Sequence, residues 1–398
     1  MNSIGVICEI CGKNKAMLQL TLHPVELPLR HAWTIAHGTR TVQRNLIVAL
    51  HDPETGHTGY GEAPGIPYMG VTVESMCETH KKYSLEALFG KEFWERFEGV
   101  ITYVLRDMEH HPHSLAIYDS DLQPISASDH FFSCAVDEAI NDLFGKRNEL
   151  SLMKSWGEGL DGSLSSNYTL GMDTPEVMVA KLREYPDFPS YKVKLGRPEA
   201  EGGLEEDLAV LRRLREETDA VFRVDANTGW DAEQTIRASG PLRDLGVEFI
   251  EQPLPPDAPR SEYEAVYFGS DLPIIADESC QTEEDVEKCA GLFHGINIKL
   301  CKCGGMTPAR RMIAKARELD LKVMMGCMTE TTVGISALAQ FLPLLDYVDM
   351  DGAMLLADGT DPADGVKLAP DGVAIFPEGE AAHGNGVTLT RELPAVTP

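Results

Sequence analysis

Two lysines lie two positions apart in the short segment YKVKLG, at Lys192 and Lys194. The segment alternates as a strand does, and because strand side chains alternate between faces, both ammonium groups point to one side. A lysine becomes an effective general base when burial or a neighbouring cation brings its pKa toward ~7–8. We therefore predict that Lys194 transfers protons, while Lys192 supplies the neighbouring charge and attracts a substrate carboxylate.

Three carboxylates, Asp225, Glu251 and Asp277, end three successive apolar segments of the chain. If these segments are neighbouring parallel strands, the carboxylates converge, and three anions repel one another unless cations lie among them. Oxygen-only ligands favour a hard ion, and an open octahedral shell that the substrate completes points to Mg²⁺. For a single carboxylate, an ion pair with a lysine or arginine is the simpler interpretation. For three at successive strand ends, we predict a metal site.

The elements that must position these groups follow a regular pattern from about residue 164 onward. Short apolar segments recur, and amphipathic helical segments such as 204–217, 232–245 and 308–319 lie between them. Such alternation predicts a parallel sheet, and eight strands in this length favour a TIM-type barrel over an open sheet. A doubly wound sheet would carry a phosphate-binding glycine loop after its first strand, which GMDTPE is not. The predicted strands are 167–172, 191–196, 221–227, 247–253, 272–279, 295–302, 322–328 and 347–355.

A third lysine, Lys299, lies on the sixth predicted strand, four strands away from Lys194. In a ring of eight strands these two positions are diametrically opposed, so a substrate carbon at the centre has one amine on each face. This arrangement suits removal of a proton from one side and return of a proton from the other. Abstraction of a proton next to a carboxylate also needs positive charge to stabilise the developing anion, which metal and ammonium groups supply.

The full prediction is an α/β protein with a (β/α)7β TIM-type barrel and an N-terminal α+β domain. We assign residues 1–150 to the N-terminal domain, with a hairpin at 45–63 and helices at 73–88, 92–108 and 128–142. Within it, residues 1–17 form an extension that contains Cys8 and Cys11, and a histidine cluster near residue 110 is interpreted as a surface loop. Residues 151–360 form the barrel, and residues 361–398 form a tail that returns to the first domain.

Composition argues against several classes of partner. The formal charge of −28 would repel nucleic acid and anionic membranes. Nine cysteines without regular spacing argue against a disulfide framework and for a reducing compartment. We find no signal peptide and no apolar stretch of the ~18 residues that a membrane span needs. The expected location is therefore the cytoplasm.

The motifs YKVKLG, FRVDANTGW, VEFIEQPLPP, PIIADES and INIKLCKCGG resemble the enolase superfamily, in its muconate lactonizing enzyme subgroup. The resemblance implies that the N-terminal domain caps the barrel mouth with loops near residues 33–40 and 65–71. It also implies that Lys194 and Lys299 are the acid/base pair and that Lys192 holds the substrate carboxylate. By the same resemblance, the Mg²⁺ ligands are Asp225, Glu251 and Asp277, and the residues that surround those ligands are Asn227 and Glu278.

The eighth strand distinguishes members of this subgroup. Asp349 and Asp351 resemble the DxD motif of dipeptide epimerases, which binds the free α-ammonium group of the substrate. By the same resemblance, Thr169, Cys327 and Thr329 contact the dipeptide. The resemblance thus implies a Mg²⁺-dependent dipeptide epimerase that inverts the α-carbon of the C-terminal residue by two-lysine 1,1-proton transfer through an enediolate. It also allows association into a homo-oligomer.

Three alternatives stay open at this point. An N-acylamino acid racemase or a muconate-type cycloisomerase would share the lysines and the metal site, but their substrates lack an ammonium group for Asp349 and Asp351. A non-catalytic barrel homologue would have no physical reason to keep costly buried charges. For Arg40, pairing at the surface or with backbone is preferred to contact with an acidic side chain of the substrate.

Overall fold

The computed structural model describes residues 18–35, 38–82, 127–156 and 164–396. The first domain is an antiparallel sheet in the order β1 (Gln19–Ile35), β2 (Gly38–His51) and β3 (Thr58–Pro64), followed by helices α1 (Val73–Lys82) and α2 (Ala127–Arg147). The predicted hairpin and the predicted helix at 128–142 are confirmed, and the predicted helix at 73–88 is confirmed as far as Lys82, where the described residues end. No pattern in the sequence predicts β1, which contains Pro24 and Pro28. Proline is tolerated there because β1 is an edge strand.

Helix α2 packs against β3 at very short range. A Cβ atom added to Gly59 would lie 2.0 Å from the backbone oxygen of Ala139, and one added to Gly61 would lie 2.0 Å from that of Ala135. The two glycines therefore permit a helix–strand contact that side chains on β3 would prevent. This close contact anchors the strand that leads into the loop near residues 65–71.

The second domain contains eight parallel strands, each bonded to its neighbour in chain order. The ring is joined between its first and last strands by side-chain hydrogen bonds: the Met350 N–H donates to Ser166 Oγ at 3.0 Å, and Asn167 Nδ2 donates to Asp349 Oδ1 at 2.8 Å. All eight predicted strands are confirmed. They are β4 (Tyr168–Leu170), β5 (Ser190–Lys194), β6 (Val221–Asp225), β7 (Val247–Glu251), β8 (Ile274–Ala276), β9 (Gly295–Ile298), β10 (Lys322–Gly326) and β11 (Tyr347–Asp349).

The helices around the strands follow from apolar spacing and from capping residues. Leu204, Leu208 and Leu211 recur at helical spacing and are buried against the barrel. Asp231 forms a capping box with Gln234 at a helix N-terminus. The helices are α3 (Leu152–Ser155), α4 (Pro175–Glu184), α5 (Gly203–Arg215), α6 (Ala232–Asp244), α7 (Arg260–Gly269), α8 (Glu283–Cys289), α9 (Leu300–Cys303), α10 (Met306–Glu318) and α11 (Thr332–Ala339).

The segment after the barrel forms two small antiparallel pairs, β12 (Ala363–Asp364) with β15 (Thr388–Leu389), and β13 (Lys367–Leu368) with β14 (Ala374–Ile375). Its end reaches the first sheet, where the Val396 N–H donates to the Leu22 oxygen at 3.0 Å. The domain limits at residues 150 and 360 stay predictions.

Several sequence expectations lie outside the described residues. These are the extension at 1–17 with Cys8 and Cys11, the helix at 92–108 and the histidine cluster near residue 110. Within the described ranges, no helix combines the length and the apolar character needed to cross a membrane.

Candidate active site

A pocket opens at the C-terminal ends of the barrel strands, where TIM-type barrels carry their reactive groups. Arg40, Ile66 and Tyr68 of the first domain line it together with barrel residues. All the residues predicted for the site line this pocket except Asp225 and Glu251, which are fully buried beneath it. The structure therefore brings the whole predicted set together.

Strand register explains how the reactive side chains meet. In the parallel ladders, Lys194 lies beside Asp225, and Asp225 lies beside Glu251. The three residues form one row across β5, β6 and β7. Immediately after β6 the chain enters a left-handed conformation at Asn227, with φ of 43°, and the Asn227 N–H donates to Asp225 Oδ1 at 3.0 Å. This bond orients the carboxylate toward the pocket.

The carboxylates of Asp225, Glu251 and Asp277 form a site that fits a divalent cation. One oxygen of each lies within 4.8 Å of the others, and all three residues are buried. Lys192 Nζ lies among them, 3.1 Å from Asp225 Oδ2 and 2.8 Å from Glu251 Oε2. Asn297 Nδ2 donates to the other Glu251 oxygen at 2.8 Å. Buried carboxylates at this spacing require positive charge, and their hard oxygen atoms suit Mg²⁺.

The two proposed acid/base lysines enter the pocket from β5 and from the end of β9, four strands apart in the order of eight. Lys194 Nζ donates to Asp225 Oδ2 at 2.6 Å. Lys299 Nζ donates to the Cys327 oxygen at 3.3 Å and lies 3.8 Å from Asp277 Oδ2. Burial alone would lower the pKa of Lys299, but the nearby carboxylates of Asp277 and Glu251 together raise it.

A fourth lysine of the site, Lys302, is buried and is absent from the predicted set. Its Nζ lies 2.7 Å from Asp277 Oδ1 and 3.6 Å from Glu278 Oε1. Burial favours a lower pKa for Lys302, but these two carboxylates raise it. Burial and the nearby Asp277 charge also raise the pKa of Glu278 to about 7. The signal in the sequence is a lysine three positions after Lys299, which the one-turn helix α9 brings back toward the pocket.

Asp349 and Asp351 form a second acidic group on the opposite side of the pocket from β7. The Thr169 N–H donates to Asp351 Oδ2 at 2.5 Å, and Thr169 Oγ1 lies 3.3 Å from Asp349 Oδ1. Burial would raise the pKa of Asp349, but Lys192 and two further lysines nearby lower it to about 2. Burial and the Asp349 charge raise the pKa of Asp351 well above its usual value. A paired, buried carboxylate site of this kind favours binding of a cation.

Arg40 lies at the pocket, whereas the sequence favours pairing at the surface or with backbone. Its side chain lines the pocket, and its Nη2 donates to Thr329 Oγ1 at 3.1 Å. Burial lowers the pKa of this guanidinium. The interpretation of surface or backbone pairing is therefore wrong, because β2 carries Arg40 inward over the loop that follows β10.

The chain resembles known proteins in sequence and in structure. A family model described as enolase C-terminal domain-like matches residues 177–393, more than half of the chain. The L-Ala-D/L-amino acid epimerase of a Maribacter species is 45% identical over 94% of this chain and 100% of its own length. The chain belongs to the dipeptide epimerase group of the enolase superfamily. The predicted family is thus confirmed.

Other members of this group agree in fold and in coverage. The L-Ala-D/L-Glu epimerase of Bacteroides thetaiotaomicron is 38% identical over 86% of this chain and 82% of its own length. A dipeptide epimerase from Enterococcus faecalis, solved in complex with Mg and the dipeptide L-Leu-L-Tyr, superposes with a TM-score of 0.76. That structure is 28% identical and covers 93% of this chain and 99% of the other.

Loss of one triad carboxylate should weaken Mg²⁺ binding. Mg²⁺ at a hundred times its Kd stabilises a folded protein by about 2.7 kcal/mol, so it should raise the unfolding midpoint of the wild-type chain. Asp225→Asn should lose about half of this shift or more, and calorimetric titration should show Mg²⁺ affinity reduced about tenfold or more. Asp137→Asn is the control, because Asp137 is a buried carboxylate that binds Thr307 outside the pocket. Equal Mg²⁺ affinity in wild type and Asp225→Asn would contradict the site.

Proposed function

We propose that this chain is a Mg²⁺-dependent dipeptide epimerase, an isomerase that inverts the α-carbon of the C-terminal residue of a dipeptide. The observation that supports this most directly is the presence, in one pocket, of lysines from opposite strands and the buried pair Asp349 and Asp351. The chain also aligns with the full length of a relative named L-Ala-D/L-amino acid epimerase. A relative of known structure binds both Mg and a dipeptide.

The formal charges of the site match this substrate. Six carboxylates lie among four lysines, so the acidic groups outnumber the lysines, and a divalent cation would reduce that excess. A free dipeptide carries one ammonium and one carboxylate and adds no net charge. An N-acylated substrate would add a negative charge and leave Asp349 and Asp351 without a cation. The groups counted are Asp225, Glu251, Asp277, Glu278, Asp349 and Asp351 against Lys192, Lys194, Lys299 and Lys302.

The reaction is a proton transfer across one carbon atom. Asp349 and Asp351 bind the substrate ammonium, and Lys192 attracts its carboxylate, so the α-carbon of the C-terminal residue lies between Lys194 and Lys299. One of these lysines removes the α-proton from one face, and the other donates a proton to the opposite face of the enediolate. When bound, Mg²⁺ supplies positive charge that stabilises the carboxylate as negative charge develops on it.

The alternatives account for fewer of these features. A racemase of N-acylated amino acids or a cycloisomerase would use the lysines and the triad but not the ammonium site. A non-catalytic barrel would keep these ten ionisable side chains at and beneath one pocket, eight of them buried, without a use for them, although isolated buried charges cost several kcal/mol each. A cytoplasmic location and association into a homo-oligomer stay predictions from the sequence.

Removal of either acid/base lysine should abolish epimerisation. In Lys194→Ala and Lys299→Ala, kcat should fall by about 10²–10⁴, since that is the usual contribution of a positioned acid or base. In D2O, each variant should still exchange the α-proton of the stereoisomer whose proton faces the remaining lysine, as measured by mass shift. Near-normal epimerisation of both stereoisomers by either variant would exclude the assignment.

Asp349 and Asp351, which bind the substrate ammonium group, should determine the preference of the enzyme for free over N-acylated dipeptides. Asp351→Asn should reduce kcat/KM for a free dipeptide by about a hundredfold, because truncating one partner of a buried ion pair costs about 3 kcal/mol. The same variant should leave activity toward the N-acetylated dipeptide no lower than that of the wild type. If the wild-type chain instead has the higher kcat/KM for the N-acetylated dipeptide, that result would support the racemase alternative.

Arg40 should favour an acidic side chain on the C-terminal residue. It is a half-buried guanidinium on the pocket wall, and its Nε has no hydrogen-bond partner among the described residues. Arg40→Met should reduce kcat/KM for L-Ala-L-Glu about tenfold more than for L-Ala-L-Leu, because hydrogen bonds to charged groups contribute about 1.5–3 kcal/mol. Arg44→Met is a matched control on β2, since Arg44 pairs with Glu74 outside the pocket. Equal losses for both dipeptides would contradict this role.

A further inference from the structure

Two loops from different domains meet at the pocket. The loop after β3 contributes Ile66 and Tyr68, and the loop after β10 contributes residues 327–329. Neither loop forms regular secondary structure along its whole length, so contacts with other parts of the chain must hold it in position. A single buried polar network, formed by Gln43, Asn45 and Glu62 of the first domain, contacts both loops.

Glu62 binds the start of the barrel helix that follows the second loop. Its carboxylate accepts hydrogen bonds from the Thr331 N–H at 3.0 Å, from Thr331 Oγ1 at 2.5 Å and from the Gly334 N–H at 3.1 Å. These donors lie at the N-terminus of α11, where free N–H groups and the helix dipole favour an anion. A carboxylate of the first domain therefore caps a helix of the second.

Asn45 connects Glu62 to the loop itself. Its Nδ2 donates to Glu62 Oε1 at 2.6 Å and to the Thr329 backbone oxygen at 3.0 Å. Gln43 Nε2 in turn donates to Asn45 Oδ1 at 2.6 Å and to the Gly65 oxygen at 2.9 Å. Gly65 directly precedes Ile66 in the loop after β3. The same chain of hydrogen bonds thus holds one loop at Gly65 and the other at Thr329.

We infer that Asn45 and Glu62 are positioning residues. They hold the two loops at fixed positions relative to each other and so set the affinity of the pocket for the dipeptide. Neither side chain lines the pocket, so both act through Thr329 and Thr331. The inference rests on the proposed function, because the affinity concerned is that for the substrate. The metal triad and Lys194 hydrogen-bond to other groups, and Lys299 contacts the second loop through one long hydrogen bond, to the Cys327 oxygen at 3.3 Å. Proton transfer and Mg²⁺ binding should therefore be affected little.

The test separates loop positioning from helix stability. Glu62→Gln and Asn45→Ala remove hydrogen bonds from the side of the first domain. Asp361→Asn is the matched control, because Asp361 accepts the Thr332 N–H at 2.9 Å and the Thr332 hydroxyl at 2.7 Å at the start of the same helix, outside the pocket. Unfolding midpoints of all three variants show whether their losses of stability are comparable. Steady-state kinetics with a free dipeptide and calorimetric titration of Mg²⁺ complete the measurement.

We expect KM for the dipeptide to rise about tenfold in Glu62→Gln and in Asn45→Ala, since each loses a hydrogen bond in which a charged group or a buried carbonyl takes part. We expect kcat, Mg²⁺ affinity and the KM of Asp361→Asn to change by no more than about threefold, as for sites remote from the substrate. In the double variant Glu62→Gln with Asn45→Ala, KM should rise by no more than the product of the two single fold-changes, because both residues act on one loop.

Two results would overturn the inference. The first is an unchanged KM in Glu62→Gln and Asn45→Ala, and the second is an equal rise of KM in Asp361→Asn, which would assign the effect to helix stability. If Glu62→Gln does not fold, Asn45→Ala decides, because it keeps the carboxylate at the helix N-terminus. Failure of the proposed function is distinguishable, since the wild-type chain would then epimerise no dipeptide at all.

Discussion

Charges that are removed from water must be neutralised by other charges, and the barrel mouth of this protein depends on that constraint. Carboxylates and lysines from six of its eight strands and the loops that follow them meet in one largely buried region. The carboxylates outnumber the lysines, so this region would attract a divalent cation and a substrate ammonium group. The pKa values of Asp349 and Asp351 diverge under this excess, one lowered to about 2 and the other raised. The charges that would destabilise the barrel by themselves are those that we propose to bind the metal and the substrate.

Strand geometry explains why so much of this centre is predictable from sequence. The two-residue period of a strand places Lys192 and Lys194 on one face whatever the rest of the fold, and parallel ladders align Lys194, Asp225 and Glu251 in one row. All eight strands are visible as short apolar segments because a parallel sheet is buried on both faces. The residues that carry the chemistry are therefore those whose positions depend on the simplest periodicities.

What the sequence does not reveal depends on loops and on contacts between domains. β1 escapes prediction because its prolines disfavour a strand, and only its edge position makes them acceptable. Lys302 reaches Asp277 only because a single helical turn follows β9. Arg40 lies at the pocket because β2 crosses above the loop after β10, a contact between residues nearly three hundred positions apart in sequence. No periodicity in a single segment encodes such a pairing.

The contrast between strand register and loop contacts separates two properties of the enzyme, its chemistry and its choice of substrate. Strand register aligns Lys194, Asp225 and Glu251, so the proposed proton transfer and metal binding depend on positions that the barrel strands determine. The wall that faces the substrate side chains is built from loops of both domains, which Asn45 and Glu62 join through buried hydrogen bonds. A change in those loops alters the shape of the wall without moving the row of reactive residues. Dipeptide epimerases with different substrates can therefore share one catalytic centre, as the 28% identical relative that binds L-Leu-L-Tyr illustrates.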